Sequence, residues 1–270
     1  MTAQNAANCV WAFATVGEKL GCANEPLKHA IVRVADSMSA QHVANTLWAF
    51  ATLRLQLGNA NEPLMHAVVR AADSMSAQNV ANTLWAFATL NFQLGNANGP
   101  VMHAAVRVAD TMSAQAVANT LWAFATLNWQ LGTANEPLMH AVVRVADSMN
   151  AQNVANTLWA FATLNWQLGT ANEPLMHAVV RVADSMNAQE VANTLWAFAT
   201  LKVQPGDPSR CWVGAVPRVL SGTLEPRSVS QARLGLEWLQ EQGSDGAQMK
   251  LALQTVDASV RRHRAAVHTT

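Results

Sequence analysis

Three kinds of side chain recur in this sequence at spacings that could do chemistry. His66, Arg70 and Asp73 stand at i, i+4 and i+7, one face of a helix. The trio returns as His29, Arg33, Asp36; His103, Arg107, Asp110; His140, Arg144, Asp147; and His177, Arg181, Asp184. Such a column suggests metal binding or proton transfer. A zinc site, however, needs several ligands converging on one point, and catalysis needs one site rather than five copies. The trio therefore reads as a solvated or inter-unit face with weak Arg–Asp pairs. Arg70, Arg107, Arg144 and Arg181 are its phosphate-contact candidates. The cysteines, Cys9, Cys22 and Cys211, have no metal-ligand spacing. Their odd number, in a chain too long to depend on staples, points to a reducing intracellular compartment. The sequence holds no phosphate loop, nucleophile elbow or paired-carboxylate site. It predicts no catalytic residue, no metal, no cofactor and no small-molecule substrate.

The second kind is a ridge of neutral amides. Gln41 and Asn45 fall on one side of a helical wheel with Thr52 and Gln56, and His42 lies beside them. The pattern recurs as Gln78 and Asn82, Gln115 and Asn119, Gln152 and Asn156, and Gln189 and Asn193. Amides in register can read base edges, and one base per repeat, read by two or three side chains, is a known strategy. They can equally bond between adjacent helices; both readings stand. The position after the glutamine varies: Asn5, His42, Asn79, Ala116, Asn153 and Glu190. The position after Ala-Thr-Leu varies too: Arg54, Asn91, Asn128, Asn165 and Lys202. A selective reader of ligands would use such sites, and a drifting surface would look the same. His42, Asn79 and Asn153 join the amides as candidates. The third kind is tryptophan, at Trp11, Trp48, Trp85, Trp122, Trp159 and Trp196. Its large burial favours a spacer between units over a base-stacking platform.

What must position these residues is a repeat. The string Ala-Asn-Thr-Leu-Trp-Ala-Phe starts at Ala44, Ala81, Ala118, Ala155 and Ala192, each 37 residues after the last, with a diverged copy from Ala7. Full units span 3–39, 40–76, 77–113, 114–150 and 151–187, with a partial unit at 188–204. In the unit 40–76, Ser39 caps a first helix (A) that runs to about Leu57 and stops at Gly58. Asn61 caps a second helix (B), with Pro63 in its first turn, running to about Met75. Val43, Leu47 and Phe50 give helix A an apolar side that it cannot bury alone. The fold class is therefore all-α: an α-α superhelix, or solenoid, of 37-residue helix–turn–helix repeats with a divergent helical C-terminal cap. In that cap, residues 205–270, a breaker cluster at Pro205–Pro208 is followed by a worn helix B at 209–222. A further A-like helix with Trp238 spans Ser228 to Glu241, and an amphipathic helix spans 246–265.

Residues 1–204 carry 9 basic against 11 acidic side chains, so any nucleic-acid contact by the repeats lacks a strong basic field. No apolar stretch approaches the ~20 residues of a membrane span. Met1-Thr2-Ala3-Gln4 already reads as the start of a repeat, without a secretory or transit segment, and suggests a piece of a longer array.

The segments Gln-Asn-Val-Ala-Asn-Thr-Leu-Trp-Ala-Phe-Ala-Thr-Leu at 78–90 and 152–164 resemble the octotricopeptide/heptatricopeptide class of helical repeats. These occur in RAP-domain and FAST-kinase-like proteins of algae, dinoflagellates and apicomplexans. The resemblance covers residues 3–204. It implies an α-solenoid that binds single-stranded organellar RNA, in mitochondrion or plastid, and acts in transcript maturation, stability or translation. It also implies that helix A of each unit faces the RNA. The competing expectation is a protein–protein scaffold holding a peptide in the solenoid groove, with affinity less sensitive to salt than that for RNA.

Overall fold

The computed structural model describes residues 1–203, 226–241, 251–258 and 261. It divides into two compact units, Met1–Ala141 and Val142–Thr270. The described residues form helices and 3-10 turns, with no strand among them. The first unit holds α1 (Ala3–Val16), α2 (Asn24–Val34), α3 (Ala40–Thr52), α4 (Asn61–Ala71), α5 (Ala77–Thr89), α6 (Asn98–Val108) and α7 (Ala114–Thr126). Helix α8 (Asn135–Val145) begins there and ends in the second unit. The second unit continues with α9 (Ala151–Thr163), α10 (Asn172–Val182), α11 (Ala188–Leu201) and α12 (Pro226–Glu241). Odd-numbered helices up to α11 are the A helices and even-numbered ones up to α10 the B helices.

Within the first unit each A helix lies against the next: α1 on α3, α3 on α5, α5 on α7. In the second, α9 lies on α11 and α11 on α12. This is the packing of neighbouring helices in a helical solenoid, and it explains the alanine-rich A helix. A helix flanked on both sides must keep its axis close to both neighbours, and small residues allow that. Ala44, Ala49 and Ala51 are buried in α3, and Ala81, Ala86 and Ala88 in α5. The apolar anchors are Phe50, Phe87, Phe124, Phe161 and Phe198, all fully buried with the leucine three residues before each. Beside them, Phe124 meets Trp129 at 5.6 Å between ring centroids, and Phe161 stacks on Trp166 at 4.2 Å.

Helix A starts where the sequence expects it and stops early. At the start, Ser39 accepts from the His42 amide, and the His42 side chain accepts from the Ser39 amide, closing a capping box. At the end, the helix stops at Thr52, not near Leu57, because Arg54 adopts a left-handed backbone at φ 53°. Asn91, Asn128, Asn165 and Lys202 do the same. Asparagine tolerates that conformation better than most residues, and its recurrence was the available signal. Gly58, at φ 56°, then opens a 3-10 turn (Gly58–Ala60) into helix B. Asn61 does not cap helix B: its Oδ1 is buried without a hydrogen-bond partner. Helix B ends at Ala71, and a 3-10 turn (Ala72–Ser74) replaces the expected last turn.

The expected A-like helix of the tail is α12. It packs on α11, and Gly235 is its point of closest approach: a Cβ there would sit 2.5 Å from the Leu195 carbonyl carbon. Residues 251–258 are helical, and Asp257 lies 3.7 Å from Arg233 of α12. The expected worn helix B at 209–222, and the rest of the 246–265 helix, lie outside the described residues. No described helix is long and apolar enough to cross a membrane.

Candidate functional site

Along an A helix, Gln41, Asn45, Trp48 and Thr52 fall at i, i+4, i+7 and i+11, within about 60° of one line at 100° per residue. The structure keeps that line open. Gln41 and Thr52 are exposed; Asn45 and Trp48 are half-buried. The same pattern holds for Gln78, Asn82, Trp85 and Thr89 on α5, and for Gln115, Asn119, Trp122 and Thr126 on α7. In the second unit it holds for Gln152, Asn156, Trp159 and Thr163 on α9, and for Gln189, Asn193, Trp196 and Thr200 on α11. The tryptophans are therefore not the buried spacers that their size suggests. Fully buried phenylalanines two residues on, across the helix, take that task, and the indoles stay partly open to solvent.

The amides of the wall are mostly unused by the protein itself. Among the described residues, the side chains of Gln41, Asn45, Gln78, Asn82, Gln115, Asn119, Gln152 and Asn156 make no hydrogen bond. The reading in which these residues tie adjacent helices together does not describe them. It describes α11 instead. There Gln189 Nε2 donates to Asn193 Oδ1 at 2.9 Å, and Ser228 Oγ of α12 donates to Gln189 Oε1. Ser228 is itself buried, so α12 closes the end of the wall.

Between α5 and α7 lies an open cleft of about 560 Å3, lined by Gln78, Asn82, Gln115 and Asn119 with the capping Ser76 and Ser113. None of its lining side chains ionises. A smaller cleft of about 310 Å3, beside Gln56 and Thr89, carries the charge of Arg54. The wall can therefore offer amide donors and acceptors and flat aromatic faces, with little electrostatic field.

The variable candidates serve the backbone. His42, Asn79 and Asn153 are the capping-box partners of α3, α5 and α9: Asn79 Oδ1 accepts from the Ser76 amide at 3.2 Å, and Asn153 Oδ1 from the Asn150 amide at 3.4 Å. Glu190 repeats the device on α11 at 2.8 Å.

The arginines also have partners. Arg70 donates from one guanidinium nitrogen to the carbonyls of Ala35 (3.1 Å) and Met38 (2.9 Å), in the 3-10 turn that ends the preceding repeat. Arg107 does the same to Ala72 (3.3 Å) and Met75 (2.6 Å), and Arg181 to Ala146 (3.1 Å) and Met149 (2.6 Å). Arg144 holds the equivalent place in α8. A cation on carbonyls at a helix end adds a charged bond to them, the alanine carbonyl already accepting from the methionine amide of its own turn, and opposes the local dipole. The arginine column thus clamps one repeat to the next. The histidines of the B helices are exposed, and no three His, Cys, Asp or Glu side chains converge among the described residues.

Four stretches, 23–47, 54–84, 133–158 and 170–195, match a family described as protein of unknown function (DUF1601). Each runs across a B helix and its 3-10 turn into the following A helix, the stretch that contains the repeat's arginine position and the capping box. With the 37-residue helical periodicity, the match marks the chain as a helical repeat protein. No curated protein matches it.

Proposed function

We propose that the A-helix wall binds single-stranded RNA, with each repeat offering one tryptophan for stacking and a Gln–Asn pair for base edges, and that the protein acts by binding rather than by catalysis. The observation that carries this reading is a half-buried asparagine whose solvent-reachable amide bonds to no other group of the protein, beside a half-buried indole, repeated on α3, α5, α7 and α9. A ligand that supplies both a π-face and hydrogen-bonding edges satisfies amide and indole together. The resemblance to RNA-binding helical repeats points the same way, and with it a role in organellar transcript processing, stability or translation.

Because the cleft between α5 and α7 holds no ionisable side chain, affinity rests on stacking and hydrogen bonds. Salt then has little leverage: contacts to one or two phosphates give a logarithmic slope of only about −1 for a single strand. This changes the expected discriminant, since a shallow salt dependence no longer separates RNA from a peptide. The neutral cleft is also what favours the second reading, a scaffold for an extended peptide whose own amide groups pair with the asparagines. Fluorescence anisotropy with a labelled random RNA pool at low salt, followed by competition with a random peptide pool, decides between them. Saturable RNA binding that peptides fail to displace supports the RNA wall. Absence of RNA binding by folded protein, with peptide capture, replaces it with the scaffold.

A further inference from the structure

We infer that the single strand accepted by this wall is a run of one base, adenine; the inference rests on the RNA reading above and narrows it. Residues 41–57, 78–94, 115–131 and 152–168 differ from one another at three positions only. The first is the capping position, where His42, Asn79 and Asn153 bond to the backbone and Ala116 is buried. The second, Arg54 and its counterparts Asn91, Asn128 and Asn165, is the left-handed residue that ends the helix. The third is Leu55, Phe92, Trp129 or Trp166, of which the last three lie against the buried phenylalanine of their own A helix.

Variation is thereby confined to caps, helix ends and packing. The stripe that faces solvent, Gln, Asn, Trp and Thr, is the same at each step. Equivalent repeats that present the same donors and acceptors cannot ask for a different base at each position. A strand laid across α3, α5 and α7 of the first unit satisfies them together only by repeating its own chemistry.

Which base follows from the side chains present. Guanine is read by Arg or Lys on its O6 and N7, and cytosine by Asp or Glu on its N4 amino group. Adenine is read by Asn or Gln, whose amide accepts from N6 and donates to N7 at once. Uracil offers an amide a comparable pair at N3 and O4 but a smaller π-face to the indoles, and stacking therefore favours adenine. The cleft between α5 and α7 is lined by Gln78, Asn82, Gln115 and Asn119, and no carboxylate, guanidinium or ammonium group lines it.

The test uses the full chain and fluorescein-labelled oligoribonucleotides of roughly 12 nucleotides, enough for one base per repeat: oligo(A), oligo(U), oligo(C) and a shuffled four-base sequence. Oligo(A) is expected to bind about tenfold or more tighter than the others, the discrimination of one good bidentate pair. The double substitution Asn82→Asp and Asn119→Asp keeps shape but leaves only acceptors. It should lower the A-to-C affinity ratio by about tenfold, whatever it does to overall affinity through charge. Circular dichroism establishes that the variant is folded. Equal binding of all four oligomers, preference for oligo(U) or the shuffled strand, or an A-to-C ratio untouched by the substitutions overturns adenine-tract recognition and leaves RNA binding standing. Failure of every oligomer to bind overturns the RNA reading itself.

Discussion

On the B helices, Arg70, Arg107 and Arg181 each place a guanidinium nitrogen on two carbonyls of the preceding repeat, while on the A helices Asn45, Asn82, Asn119 and Asn156 are half-buried residues whose amides reach solvent and bond to nothing in the protein. Both columns are polar, both recur at the same period, and both invite a ligand on paper. The difference lies in what the neighbouring repeat brings within reach. A 3-10 turn presents two carbonyls to each arginine, one of which already accepts the bond that closes the turn, and a cation adds to both. The neighbouring A helix presents alanine and more amides to each asparagine, at a distance that leaves a cleft between α5 and α7. Within each unit one column ties a repeat to the next; the other remains available. A charged residue in a repeat protein is thus no better a guide to ligand contact than a neutral one until the inter-repeat bonds are known.

If that division is right, substitutions in the two columns have opposite consequences. The largest effect is expected on the A side. Replacing Trp85 and Trp122 together with leucine should weaken RNA binding by about 2–6 kcal/mol, at roughly 1–3 kcal/mol per stacked base, with little change in the salt slope. Anisotropy titrations at two ionic strengths measure both, and unchanged affinity would remove stacking from the account. Next is the clamp: Arg107→Met keeps the apolar stem and removes the charged hydrogen bonds to Ala72 and Met75. It should cost about 2 kcal/mol of stability in urea while leaving RNA affinity per folded molecule intact. Should Arg107→Met instead abolish binding at full stability, the two columns have exchanged roles and the clamp is a ligand contact.

Smaller effects sharpen the boundary between caps and wall. Ser76→Ala removes the N-cap of α5 and half of its capping box, and is expected to cost about 1 kcal/mol without altering which base is preferred. A changed preference would put Asn79, freed from its backbone partner, on the reading surface. Arg54 pays for its left-handed backbone where Gly would not; Arg54→Gly should raise stability by about 0.5–1 kcal/mol, read as a shift of the urea midpoint at constant slope. A loss of stability there would mean that the Arg54 side chain has packing worth more than the strain.

Much of this was legible in the residues. The period of the repeat, the two helices per unit, the buried Val43–Leu47–Phe50 side, the Ser39 cap and the A-like helix that became α12 all follow from local signals. The stopping point of helix A was misread because Gly58 is a stronger written signal than Arg54. The asparagines at 91, 128 and 165 would have corrected it. The tryptophans were placed too deep because size argues for burial, and only the neighbouring helices show that phenylalanine already fills the space.

Sequence alone determined that the chain repeats, that it is helical, and which side of each helix is apolar, because those properties depend on residues within one or two turns of each other. Tertiary structure decided which polar groups are satisfied. The partner of Arg70 lies 32 and 35 residues away in the chain, and the missing partner of Asn82 is a matter of how closely two neighbouring helices approach. Hydrogen bonds need contact within about 3 Å. No pattern along a single strand of residues fixes such a distance between repeats.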